Sequence, residues 1–263
     1  KDHAVTAWKF LFTGNQRTPD TAIPTTPVEQ SHFENPGSDQ LNATWLGHSS
    51  LMINIDGYRI LTDPVFKKCV SMVGPSRFSG DLPLDIHQLG QIDAVIISLD
   101  HYDHLNRYSI SFLKEKTGLF VLPLGVGSII AGWGVPREKI IELDWWEEYR
   151  LDQKLIFVAT PAQHFSGRKF NNRMSTLWSS WVIMSERERL FFSGDSGYGE
   201  HFKEIGEAYG PFNFAMLECG QYNEKWPDIH MFPEETAQAG LDVKAEAIMP
   251  IHWGAFKLAL HEW

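Results

Sequence analysis

Three side chains able to bind a transition metal fall within four residues at His101-Tyr102-Asp103-His104. Imidazole nitrogens mixed with carboxylate oxygens suit zinc, iron or manganese better than calcium or magnesium. Taken singly, each histidine is as readily explained as a surface residue or a hydrogen-bonded interior one. The company they keep changes that reading. Asp63 follows YRILT, His101, Asp103 and His104 follow AVIIS, His164 follows FVATPAQ, Asp195 follows FFSG and His252 follows AIMPI. Each is a ligand-type residue just past an apolar, strand-length run, the place where α/β proteins gather sites from distant parts of the chain. Such a cluster points to water activation by a bound metal.

The runs that must position these residues begin at Asn42. ATWLGHSSLMINI and YRILTD flank Asp56-Gly57, a dipeptide suited to a tight hairpin. IDAVIISL, LFVLPL, KLIFVATPAQH, FNFAMLE and AEAIMPIHW follow as further strands, and SWVIMS pairs with RLFFSGD across SERER. Helices are expected over Asn106–Lys116, Gly199–Tyr209 and Pro233–Val243, the last with Pro233 in its first turn and Glu234 and Glu235 favouring its dipole. Strands alternating with helices imply a layered α/β domain with a mixed sheet. Before residue 42, Pro19, Pro24, Pro27 and Pro36 interrupt every period, so residues 1–41 read as an irregular arm and 42–263 as one domain.

At 263 residues and 43% hydrophobic content the chain can bury a full core. Its 23 Lys+Arg against 33 Asp+Glu leave a formal charge of −10, which gives nucleic acid no general attraction. Cys69 and Cys219 form no C-x-x-C pair, which argues for buried thiols in a reducing, cytoplasmic setting rather than a disulfide framework or a thiolate metal site. No apolar run approaches a membrane span, and Lys1–Asn15 lacks a signal peptide's apolar centre.

Across nearly its whole length the sequence resembles the metallo-β-lactamase superfamily, and within it the branch of N-acylphosphatidylethanolamine-hydrolysing phospholipase D and its bacterial relatives. The matching stretches include TWLGHSS, ILTDPVF, HYDHL, ELDWWEE, TPAQHFSGR, TLWSSW, FFSGDSGY, PEE and IHWGAF, in that order. The resemblance implies an αββα sandwich carrying zinc, as one or two ions, with manganese or iron as alternatives. It assigns His101 and His164 to a first metal, Asp103, His104 and His252 to a second, and Asp195 to both. Asp63 would orient a ligand imidazole, as metal-binding histidines usually require. The family motif H-x-H-x-D-H begins here with Leu99, which cannot ligate, so the first metal is left with fewer protein donors. Neighbouring Asp100 points away from Leu99's direction if the strand continues that far. The resemblance also implies a C-terminal segment that continues past Trp263.

His230, just before MFPEE, matches a histidine near the active site of those relatives; it would grip the phosphate or protonate the leaving group. With Asp103 and Asp195 it completes the expected catalytic set. His48, following TWLG, is read as a structural residue inside a strand, and His3, His32, His87, His201 and His261 are unassigned. Trp145, Trp146, Trp178, Trp181, Trp226 and Trp253 are expected mostly in the core. GQYNEKW at Gly220–Trp226 lies where the relatives form a substrate rim but carries different residues, so their substrate is not carried over. The expected reaction is hydrolysis of a small-molecule or lipid phosphodiester, with peripheral membrane contact and oligomeric state left open. Two alternatives stay open: a lactonase or other carbonyl hydrolase, because fold alone does not choose the electrophile, and a non-catalytic protein holding one structural metal.

Overall fold

Asp56-Gly57 closes a hairpin between β2 (Ser50–Ile55) and β3 (Tyr58–Thr62). This is seen in a computed structural model that describes residues 16–29, 41–71, 74–169 and 171–263. β1 (Asn42–Gly47) pairs with β2, so ATWLGHSSLMINI is two strands rather than one. Gly47 and His48, both at positive φ (97° and 58°), supply the turn between them. β4 (Ile92–Ile96), β5 (Thr117–Pro123) and β6 (Ile140–Leu143) add parallel neighbours, giving a six-stranded sheet in sequence order.

The second sheet also has six strands, in the order β12-β11-β10-β9-β8-β7. It comprises β7 (Glu148–Leu151), β8 (Leu155–Thr160), β9 (Ser180–Met184), β10 (Arg189–Phe192), β11 (Phe214–Glu218) and β12 (Ile248–Ile251). The β9/β10 hairpin turns through Ser185–Glu188 as expected. Pro250, which has no N–H for a ladder, lies on the edge strand β12. Four helices are found among the described residues: α1 (Arg107–Leu113), α2 (Val126–Ala131), α3 (His201–Ala208) and α4 (Pro233–Asp242).

Period-two alternation sorts the apolar residues into three layers. In β4, Ala94 and Ile96 face the second sheet, whereas Val95, and Ile97 just past the strand, pack outward with residues of α1 and α2. In β10, Leu190 and Phe192 face inward while Phe191 packs with Phe202 of α3 and Ala239 of α4. The order helix, sheet, sheet, helix is the αββα sandwich. Trp181, Phe157 and Phe192 are fully buried between the sheets, and burying each such side chain stabilises the fold by roughly 2–3 kcal/mol.

Several expectations need correction. β6, β7 and α2 were not anticipated from the sequence. Trp146 and Trp253 are each 42% exposed instead of lying in the core, and the two free thiols are half-buried. Of the arm, residues 16–29 form no helix or strand, and Val28 donates its N–H to Pro83 O at 2.7 Å. The rest of the arm before Leu41, with His3 and His32, lies outside the described residues. Among those residues, no helix is long and apolar enough to cross a membrane.

Candidate metal centre

Every ligand-type residue singled out in the sequence emerges at one seam between the two sheets. The first sheet delivers Asp63 after β3 and His101, Asp103 and His104 after β4; the second delivers His164 after β8, Asp195 after β10, His230 after β11 and His252 after β12. The strand ends are drawn together by specific contacts. Gly194 sits at φ 57°, and a Cβ there would lie 2.5 Å from the Cβ of Ser98, so only glycine lets the end of β10 approach the end of β4 this closely. The next residue, Asp195, is thereby placed beside His104. His252, at φ 65°, donates its backbone N–H to His48 O at 3.0 Å, tying the end of β12 to the β1/β2 turn.

Donor atoms gather into three groups, in each of which all atoms lie within 4.8 Å of one another: His101, His164 and Asp195; His48, Asp103, His104 and His252; and Asp195, His230 and His252. His104 Nε2 is 3.0 Å from Asp195 Oδ2, His252 Nδ1 is 3.0 Å from Asp195 Oδ1, and His164 Nε2 is 3.7 Å from Asp195 Oδ2. Two donors that share a tetrahedral ion at ~2.1 Å are themselves ~3.4 Å apart, so these spacings match. The fit has a second sign. His104 Nε2, His164 Nε2 and Asp195 Oδ1 are buried and make no hydrogen bond. Buried polar atoms left in that state are costly, and a cation accepting all three lone pairs would satisfy them.

The protonation of the site favours the same ligand. Burial holds the His164 imidazole down at about 3 and also lowers His101 and His252. Burial alone would raise Asp103 and Asp195, but His104 and other neighbouring imidazoles outweigh it and hold both carboxyls below their usual range. Metal binding needs neutral imidazoles and ionised carboxylates. His104 is the exception: burial pulls it down, yet Asp195, Asp103 and Asp63 together hold it well above the ordinary value.

Behind the donors stands a supporting layer. Asp63, fully buried at φ 34°, accepts from Ser98 N at 2.7 Å and from Ser98 Oγ, and its Oδ2 lies 2.7 Å from His104 Nδ1. His164 Nδ1 meets the Ile229 carbonyl at 2.9 Å. His48 is not inside a strand; it occupies the β1/β2 turn, with Nε2 3.0 Å from Asp103 Oδ2. Sequence reading missed this contact because it took β1 and β2 as one strand, and it missed Glu218 altogether. Glu218 is wholly buried at the end of β11, its Oε2 3.5 Å from His230 Nδ1. A carboxylate closing an apolar run is the one signal that could have found it.

Leu99 is 1% exposed and belongs to no donor group. Asp100 does not replace the missing imidazole: its Oδ1 accepts the Gly167 N–H at 2.7 Å, and it too lies outside all three groups. Phe165 covers the first group, its ring 4.7 Å from His101 and 4.8 Å from His164. Beside it opens a groove of about 620 Å³ lined by Phe165, Arg168, Lys169 and Arg173.

Residues 58–253 match a family model described as the β-lactamase superfamily domain. An uncharacterised protein of Mycobacterium tuberculosis is 41% identical, over 97% of this chain and 69% of its own length. The N-acyl-phosphatidylethanolamine-hydrolyzing phospholipase D 1 of Caenorhabditis elegans is 31% identical, over 93% of this chain and 72% of its own. Among solved structures, a metallo hydrolase of the archaeon Ignicoccus hospitalis superposes with a TM-score of 0.61 at 20% identity, covering 83% of this chain and 85% of that one. With the sandwich, the strand-end donors and a match spanning most of the domain, the chain belongs to the metallo-β-lactamase superfamily of metal-dependent hydrolases.

Proposed function

We propose that the protein is a zinc-dependent phosphodiesterase of phospholipase D type, acting on a phospholipid-like or other amphiphilic phosphodiester. The observation that carries the reading is the sharing of Asp195: its Oδ2 lies between His164 of the first donor set and His104 of the second, and its Oδ1 faces His252 of the second. One carboxylate would therefore belong to both sets. His101, His164 and Asp195 would hold the first, and Asp103, His104, Asp195 and His252 the second. A bound ion supplies hydroxide near neutral pH and offsets negative charge on the phosphoryl oxygens. Two supports come from outside the donors. The worm relative is named for phosphodiester hydrolysis, and the groove beside Phe165 offers Lys169 and Arg173 to an anionic group next to an aromatic wall.

In this reading Asp103, braced by His48, orients the attacking oxygen towards phosphorus. The new P–O bond forms as the bond to the leaving alcohol breaks, and His230 delivers a proton to the departing oxygen. Purified protein loaded with zinc is expected to turn over bis(p-nitrophenyl) phosphate and to release the headgroup alcohol from N-acylated phosphatidylethanolamine, with no comparable rate on a panel of lactones. Turnover of lactones alone would overturn the assignment.

The loss of a donor at residue 99 gives a further expected result. The first position keeps three protein donors, the second four, so zinc is expected to fill the second first. Leu99→His should restore the fourth donor and raise stoichiometry from nearer one towards two ions per chain, read by calorimetric titration of the metal-free protein. Two equally tight ions in the unaltered protein would refute the weakened position.

A further inference from the structure

The mechanism above uses His230 but not the carboxylate behind it. Glu218 is wholly buried. Ser193 Oγ accepts its backbone N–H at 2.9 Å, and its carbonyl accepts from Thr236 Oγ1 at 2.9 Å, so the residue is fixed at both ends. Of its carboxylate oxygens, Oε1 accepts the Met231 N–H. Oε2 makes no hydrogen bond and lies 3.5 Å from His230 Nδ1, which is buried and makes none either. A modest closing of that distance would let each satisfy the other. The His230 ring stacks on His252 at 5.3 Å and meets His164 edge-on at 5.2 Å, and one of its nitrogens is within 4.8 Å of donor atoms of Asp195 and His252.

We infer that Glu218 is a positioning residue for His230, holding its Nδ1–H so that the proton His230 delivers is the one carried on Nε2, the nitrogen that faces the leaving oxygen. A buried carboxylate is expensive to keep without a partner, and an imidazole whose one nitrogen is held by a carboxylate has both its tautomer and its ring plane set. Met231 adds to this: its N–H holds the Glu218 oxygen that does not face His230, so the carboxylate cannot rotate away without breaking a bond. The inference rests on the proposed role of His230 at the leaving group. Glu218 itself never touches substrate.

Three variants separate positioning from mere support. Glu218→Leu removes both acceptors, Glu218→Asp keeps a carboxylate with an oxygen for each N–H on a shorter stem, and Thr236→Val removes only the side-chain bond to the Glu218 carbonyl. Nitrogen-15 shifts of the metal-free protein should report a protonated Nδ1 of His230 in the wild type, in Glu218→Asp and in Thr236→Val, and its loss in Glu218→Leu. For kinetics, a proton donor matters for a poor leaving group and little for a good one. Glu218→Leu should therefore lose about 10²-fold in kcat on an alkyl phosphodiester, as should His230→Ala, while Glu218→Leu loses far less on bis(p-nitrophenyl) phosphate. Glu218→Asp should recover much of the alkyl activity. A wild-type tautomer in Glu218→Leu, or an equal loss on both substrates, would overturn the inference. If the wild type hydrolyses neither phosphodiester, the proposed function fails, while the nitrogen shifts still decide what Glu218 does.

Discussion

Asp195→Ala is expected to lower phosphodiester turnover by on the order of 10³-fold or more, and metal content to less than half of the wild-type value. The size follows from the place of this carboxylate in two donor groups at once. Its loss takes an anionic donor from both positions, and several kcal/mol of transition-state stabilisation by two adjacent cations corresponds to factors of that order. The metal-free variant should melt within a few degrees of the metal-free wild type. Burial already lowers His101, His164 and His252, and His104 loses the attraction of one carboxylate while keeping Asp63 and Asp103. Elemental analysis and turnover on the same preparations check the result. Near-normal turnover with full metal content would show that Asp195 bridges nothing.

The next largest effect is expected at Asp63, which need not touch metal at all. Its carboxylate accepts from two donors on Ser98 and faces His104 Nδ1, all inside a fully buried pocket. Asp63→Ala strands those groups and should cost ~3–5 kcal/mol, seen as a melting temperature lowered by about 10 °C. Freed of its orienting partner, His104 should bind zinc roughly 10–100-fold more weakly. Asp63→Asn separates the two consequences. It keeps an oxygen for Ser98, so stability should be partly restored, but it can present an N–H to His104 and so favour the wrong imidazole tautomer. Wild-type zinc affinity in Asp63→Asn would mean that the tautomer of His104 is fixed by something else.

How far the sequence revealed this site depends on whether a feature is local. Asp195, His164 and His252 could be found because each ends an apolar run and strand ends converge, which needs only the period of two. The same logic found the Asp56-Gly57 hairpin. β7 escaped because EYRL is half exposed along the edge of its sheet and shows no apolar stripe, and β6 escaped because IIEL follows a short 3-10 turn with no turn dipeptide of its own. His48 escaped because its turn is made by Gly-His at positive φ, a combination that carries little turn signal, so the chain reads through it as one strand. Glu218 shows a different limit. Nothing near it in sequence indicates that residue 230, twelve positions away along a loop, will fold back so that its ring faces the carboxylate.

Each sheet is assembled from one unbroken stretch, residues 42–143 for the first and 148–251 for the second. Neither stretch carries all the donors proposed for either ion. The first owns His48, Asp63, His101, Asp103 and His104; the second owns His164, Asp195, His230 and His252. The proposed metal centre would therefore be a signature of docking, created only when two separately paired halves close on one another. An ion bound there fastens one half to the other like a rivet, and the order of events during folding can be timed by it. In refolding, zinc capture should lag the formation of β-structure, and two fragments divided at Asp144–Glu147, each unable to hold the ion tightly alone, should be brought together by adding zinc.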